Sequence, residues 1–268
     1  MGQRLRFCFS VDVELGAGLD KSRNHRALDP SAGRKRLPHL LKILRKRGVP
    51  STFAFVGHLL LPGCDGHPLL KLPAEGWLDR DPRSRFPEDD LWYAPDLVEA
   101  VITDRTGHEL ACHSFSHVSF ADPMCTVDVA RSELEACREA AKLYGVKMHT
   151  FVYPFNEVGH ECVIAEYGYD HVTCIAPRPG GQEVLPDPWV SKKLIWVPRS
   201  YYLQDVTVAN LRRLARLVRR AAKRRLFLHV WTHEWSLRTW KERMLLEMLL
   251  RYAARKADVL PVGSVACG

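Results

Sequence analysis

The sequence predicts an α/β fold, most simply a (β/α) barrel of about seven parallel strands. Three observations carry that expectation. Apolar segments of strand length alternate with longer segments of helical periodicity, glycines close most of the helical segments, and no linker interrupts the rhythm. Parallel strands need crossovers of a dozen or more residues, and the helical segments supply them. At 268 residues the chain can bury a substantial core, and we expect one domain over 1–268.

The elements follow in order. Leu5 to Val13 alternates, with Leu5, Phe7, Phe9, Val11 and Val13 on one face and Cys8, Ser10, Asp12 and Glu14 on the other. Gly16 and Gly18 end this strand. A helix to Arg47 carries Leu37, Leu40, Leu41 and Leu44 as its stripe, with Gly48 and Pro50 closing it. Ser51–Val56 is a second strand, ending at Gly57 and His58. Residues 62–94, rich in Pro, Gly, Asp and aromatics, break the rhythm and read as a lid or binding loop. Pro95 opens a helix through Asp104, Gly107 closes it, and Leu110–Cys112 is the next strand. Thr126 can cap a helix to Tyr144. Thr150–Tyr153 is a strand, Glu157–Tyr167 a helix and His171–Ile175 a strand. Residues 176–204 are Pro- and Gly-rich with one short strand near Leu194–Val197. A basic helix over 211–225, strand Leu226–Thr232, helix Leu237–Lys256 and a last strand near Val259–Val262 complete the chain.

Composition narrows the function classes. Apolar content of 46% and charged content of 26% are those of an ordinary soluble protein. No apolar run approaches the ~20 residues of a membrane span. The first residues lead directly into a strand rather than a signal peptide, so we expect a cytoplasmic address. Eight cysteines include no C-x-x-C pair and read as small core residues rather than disulfides or ligands. The net charge of +8 is concentrated in two helices, over 34–47 and 211–225. Solvated helix faces explain these runs; attraction to a diphosphate-linked sugar, an acidic glycan or a membrane surface is the sharper reading. No nucleic-acid-binding motif is present, and nucleic acid is not the expected partner.

In parallel α/β folds the chemistry gathers at the C-terminal ends of strands. Those ends here offer Asp12 and Glu14, His113 and His117, Tyr153 to Asn156, and His233. Along an extended strand His113 and His117 would stand roughly 13 Å apart. They can share one metal only if the chain leaves the strand at His113 and curls through a turn, which Ser114 and Ser116 permit. Asp12 and Glu14 project to one face, about 6.6 Å apart along the strand. Plainer readings stand beside these. The two acids could merely face solvent, His229 reads as a hydrogen-bonded core histidine, and His58 either lines the same cleft or serves its loop. Trp231 and Trp235 are core residues, or one of them walls a sugar pocket.

The motifs resemble the polysaccharide deacetylase family, the NodB-homology or carbohydrate esterase family 4 group. The resemblance rests on H-S-F-S-H (His113–His117), S-V-D-V-E (Ser10–Glu14), V-Y-P-F-N (Val152–Asn156) and F-L-H-V-W-T-H (Phe227–His233), in the family's order. It implies an irregular (β/α) barrel and a metal-dependent hydrolase that removes an N-acetyl or similar acyl group from a sugar or glycan. It further implies a divalent ion, zinc, on Glu14, His113 and His117, with Asp12 as general base and His233 as general acid. Tyr153, Phe155, Asn156, Arg199 and Trp235 are the expected substrate contacts. Two departures stand out. Val13 replaces the second of two adjacent aspartates, and Val152 replaces the arginine that orients the base, for which Arg199 is a candidate substitute. These departures keep two alternatives open: an amidohydrolase of the same fold acting on a cyclic amide or imide, and a catalytically silent member that binds a glycan or anion.

Overall fold

The computed structural model describes residues 4–19, 30–175 and 185–267. Its centre is β1 (Leu5–Val13), buried on both faces, as strands covered by helices on one side and a filled interior on the other must be. The apolar set Leu5, Phe7, Phe9, Val11 and Val13 belongs to the main core, whereas Cys8, Ser10 and Asp12 are equally buried. β2 (Thr52–Phe55) and β9 (Phe227–His233) flank β1 in parallel. Beyond β2 come β3 (Glu109–Cys112), β4 (Thr150–Val152), β5 (His171–Ile175) and β7 (Leu194–Arg199), all in parallel register.

The ring is completed by one stretch of chain. β8 (Tyr201–Tyr202) pairs in parallel with β9, and only Ser200 separates it from β7. The run 194–202 therefore edges β5 with its first part and β9 with its second. Ser200 fixes the crossover: its amide donates to the His229 carbonyl at 2.9 Å, and its hydroxyl accepts the His229 amide at 3.1 Å. Taken as one stave, β7 and β8 give seven parallel positions in an irregular (β/α) barrel. β6 (Trp189–Ser191), antiparallel to β7, and β10 (Ala257–Val259), beside the first half of β1, are additions.

The outer layer includes α2 (Pro30–Arg47), α3 (Pro95–Ile102), α4 (Val127–Lys142), α6 (Val208–Arg224) and α7 (Trp240–Lys256). Threonine caps set three of the starts. Thr126 accepts the Val129 amide, Thr207 accepts the Asn210 amide, and Thr239 with Glu242 forms a capping box. Among the described residues no helix is long and apolar enough to cross a membrane.

Several expectations are corrected. The stretch after β1 forms a short helix, α1 (Leu15–Leu19), with Gly16 and Gly18 inside it. A Cβ on Gly18 would lie 2.4 Å from the Glu14 Cβ, so only glycine lets this turn fold back over Glu14. The helix expected from Glu157 starts later, as α5 (Glu161–Glu166). Gly159 lies against Phe120, where a Cβ would stand 1.9 Å from the carbonyl oxygen, and His160 takes a left-handed φ of 53°. β6 and β8 were not expected, because elements of two or three residues carry no readable period. The expected segment 176–204 lies partly outside the described residues, at 176–184.

Candidate active site

His113 is the first residue beyond β3. Its amide donates to the Phe55 carbonyl at 3.0 Å, and its Nδ1 donates to the Val152 carbonyl at 2.8 Å. A carbonyl can only accept, so Nδ1 carries the proton and Nε2 presents a lone pair in the neutral ring. The chain then curls. Ser114 and His117 take positive φ values of 55° and 58°, and the two imidazole centroids come within 5.0 Å. A buried carboxylate from α4 holds the curl: Glu133 accepts the amides of Phe115 and Ser116 at 2.7 and 2.8 Å and the Ser116 hydroxyl at 2.6 Å. Burial still pushes the Glu133 carboxyl above its ordinary range.

Both histidines face one oxygen. Glu14 Oε1 lies 3.6 Å from His113 Nε2, 3.4 Å from His117 Nε2 and 3.3 Å from His233 Nε2. Burial alone would raise the Glu14 carboxyl, but His117, with His113 and His233, holds it well below the usual range. The His113 lone pair aimed at a carboxylate is repulsive unless a cation lies between them. Among the described residues neither ring nitrogen of His117, both of them buried, has a hydrogen-bond partner. Ligand atoms of Glu14, His113 and His117 all lie within 4.8 Å of one another. Two imidazoles and a carboxylate suit a zinc-type ion with a position left open, and the residues present fit it.

Asp12 sits in different company. Arg199 grips it in a fork, Nη2 donating to Oδ1 at 2.6 Å and Nη1 to Oδ2 at 2.9 Å, while its guanidinium lies 4.3 Å from the Trp231 ring centre. Burial opposes ionisation of Asp12, but Arg199, then His113 and His233, outweigh it and lower its pKa. The register of β1 with β9 places Asp12 opposite His233. His233 Nδ1 meets the Tyr202 hydroxyl at 2.8 Å, and its ring stacks on Trp235 with centroids 4.0 Å apart. Glu234 lies beside Glu14 and takes the Leu15 amide at 3.0 Å. Burial, and then the Glu14 charge, raise its pKa well above normal.

The structure thus brings Asp12, Glu14, His113, His117 and His233 together. Phe155, at a positive φ of 57°, lays its ring 4.6 Å from that of His117. Asn156 accepts from Arg199 at 3.1 Å. Arg199 is expected both as a substrate contact and as the substitute for the arginine that orients the base; its side chain is buried and committed to Asp12, which fits the second reading and not the first. Tyr153 is the other departure. It is fully buried, stacked along Trp196 and edge-on to Phe151, and belongs to the core rather than the cleft. His58 turns toward Asp81 instead of this site. His229 bonds Ser10 at 2.8 Å, and burial, with Arg199 next, lowers its pKa to about 3. Sequence reasoning missed Glu133 and Tyr202. Glu133 had one signal, an acid on the stripe of Val129, Ala130, Leu134 and Cys137 that faces the core.

Residues 28–172 match the profile of the polysaccharide deacetylase family. The chain belongs to that family. The matched span holds the H-S-F-S-H and V-Y-P-F-N segments, while Asp12, Glu14, Arg199 and His233 lie outside it. Solved structures agree on the fold. A structure from Mycobacterium smegmatis assigned to the polysaccharide deacetylases aligns with a TM-score of 0.68 at 16% identity, covering 95% of this chain and 85% of that one. Another from Pseudomonas aeruginosa PAO1 gives 0.66 at 15%, covering 97% and 88%. An allantoinase gives 0.65 at 13%, also covering 97% and 88%. No curated protein sequence matches significantly. Within this polysaccharide deacetylase-family chain, the acid pair is spaced as D-V-E and the arginine on Asp12 comes from β7.

Proposed function

We propose that the chain is a metal-dependent hydrolase that removes an N-acetyl or similar acyl group from a sugar or glycan. One observation carries the reading: a single Glu14 oxygen faces His113, His117 and His233 while Asp12 stands beside it in the Arg199 fork. Glu14, His113 and His117 would hold zinc, which when bound supplies Lewis-acid polarisation of the acyl oxygen and a more acidic water. Asp12, kept ionised and oriented by Arg199, accepts the proton of the attacking water. As water oxygen bonds to the acyl carbon and the carbon–nitrogen bond breaks, His233 Nε2 gives its proton to the departing amine. Tyr202 meets the other ring nitrogen, Nδ1, so its hydroxyl helps keep Nε2 pointing into the site. Phe155 and Trp235 form walls for the acyl methyl or the sugar ring.

We read the chain as one such domain working in the cytoplasm. The exposed Arg212, Arg216, Arg219, Arg220 and Lys223 of α6 favour a sugar that carries an anionic or diphosphate-linked group. The deciding experiment offers zinc-loaded protein a panel of N-acetylated glycans and cyclic amides. Acetate release matched by new free amine supports the proposal. Ring opening without acetate would move the activity to the cyclic-amide alternative, and metal binding without either product would mark a silent binding protein.

A further inference from the structure

A second cluster of ligand-type side chains lies outside this site. His58 sits in the turn after β2, and Cys64, His67 and Asp81 belong to the 62–94 excursion. Asp81 Oδ2 is 3.3 Å from His58 Nε2, 3.2 Å from His67 Nε2 and 3.2 Å from Cys64 Sγ, and Cys64 Sγ is 4.0 Å from His58 Nε2. All four ligand atoms lie within 4.8 Å of one another. Tetrahedral zinc with bonds of 2.0–2.3 Å sets its ligand atoms about 3.3–3.6 Å apart. The three edges that meet at Asp81 are close to that spacing, Cys64 to His58 is longer at 4.0 Å, and every ligand atom stays within 4.8 Å of the others.

Hydrogen bonding alone satisfies it poorly. His58 Nδ1 meets the Trp92 carbonyl at 3.0 Å and must donate to it. A neutral His58 therefore points an Nε2 lone pair at the Asp81 carboxylate and the Cys64 sulfur. Three neighbours converge on Asp81 Oδ2, while Oδ1 is already engaged by the Tyr93 hydroxyl at 2.9 Å and the Arg83 amide at 3.0 Å. That division is the one metal sites use: one atom of each ligand points inward, and the other is fixed by an outer partner. His58 and Asp81 are buried, whereas Cys64 and His67 are partly exposed, so an ion has a way in.

We propose that His58, Cys64, His67 and Asp81 form a second metal site that takes zinc. Four protein ligands leave no open position, which makes it a structural site rather than a catalytic one. Binding would release the Cys64 thiol proton to solvent and join the turn after β2 to the excursion. Its location gives it a purpose. The rings of His58 and His67 lie 5.7 and 5.2 Å from that of Phe115, the middle residue of H-S-F-S-H. The His58 amide also donates to the Phe115 carbonyl at 3.0 Å, and Trp77 Nε1 donates to the Ser116 hydroxyl at 2.8 Å. An ion here would brace from behind the loop that carries His113 and His117.

Cobalt(II) tests this without assuming any activity. Glu14, His113 and His117 contain no sulfur, so a thiolate-to-cobalt charge-transfer absorption reports on the second site alone. The full-length chain, stripped and reloaded, should show that absorption and bind two equivalents of zinc. His117→Ala should lose one equivalent and keep the band. Cys64→Ser should lose the band, and His67→Ala, at a partly exposed position, should lose or weaken it. Absence of the band in the unsubstituted protein, or a band that survives Cys64→Ser, would overturn the second site. Failure of the proposed hydrolase reading would instead appear as absent turnover with the band intact.

Discussion

Two carboxylates, Asp12 on β1 and Glu14 just beyond it, end in different electrical surroundings, and the roles proposed for them rest on that difference. Asp12 has both oxygens on a guanidinium, so it keeps its charge and can accept a proton without holding an ion. Glu14 has an oxygen among three imidazoles. Asp12→Asn should therefore keep bound zinc while turnover falls by roughly 10²–10⁴, the range of a positioned proton transfer. Glu14→Gln should weaken zinc binding, with excess zinc restoring part of the rate; metal analysis beside kinetics separates the two, and the reverse pattern would exchange the roles. His229 makes a second prediction. Its folded pKa of about 3 lies below the ordinary 6.5, so its contribution to stability is present above about pH 6.5 and is lost as pH falls toward 3. One proton taken up on unfolding gives a slope of about 1.4 kcal/mol per pH unit across that window. Denaturant unfolding of His229→Gln should show a flatter decline than the parent, and parallel curves would mean that His229 is charged when folded. The clustered groups were legible because each is a titratable side chain at or a few residues beyond the end of an apolar strand. Tyr202 was not, since its value to His233 depends on where β8 meets β9. Arg199 was placed in sequence only as a candidate, because no spacing relates residue 199 to residue 12.

At the scale of elements, the H-S-F-S-H curl depends on a helix it does not belong to. Nothing local compels residues 114–117 to turn, and two positive φ values among non-glycine residues oppose it. Glu133 compensates from α4 by gathering three donors. Glu133→Gln keeps the shape but leaves one acceptor oxygen for donors that now meet an amide NH₂. We expect a loss of roughly 1–3 kcal/mol in unfolding free energy, with weaker metal binding at Glu14, His113 and His117. Equilibrium unfolding with zinc titration checks it; unchanged affinity would show that the curl is held by other contacts. Strands of four or more residues and capped helices were readable from period and end signals, as at Leu5–Val13 and Thr126. The late start of α5 was not, because it follows from Gly159 pressing on Phe120, a contact between distant parts of the chain.

Over the whole molecule, a single residue closes the barrel between the β5–β7 and β8–β9 pairings, and the side chains that hold Asp12 and His233 straddle it. Arg199, which orients Asp12, precedes Ser200; Tyr202, which orients His233, follows shortly after. The order of strands could be read from the alternation of elements, but this closure could not, because it rests on register rather than pattern. Ser200→Pro removes the amide that bonds His229 and so loosens β8 from β9. Glu14 follows directly on β1, and His113 and His117 follow on β3, away from the break, so zinc binding there should persist. Arg199 and Tyr202 should shift together, and an ångström of misplacement is enough to lower turnover about 10²-fold. Ser200→Ala keeps the amide and loses only the acceptor for the His229 amide, which should cost about 1 kcal/mol of stability and leave turnover close to the parent. Metal content, unfolding and turnover measured on both variants test the arrangement. Zinc lost together with activity in Ser200→Pro would mean that closure holds the entire site, whereas full activity in that variant would mean that Asp12 and His233 do not depend on it.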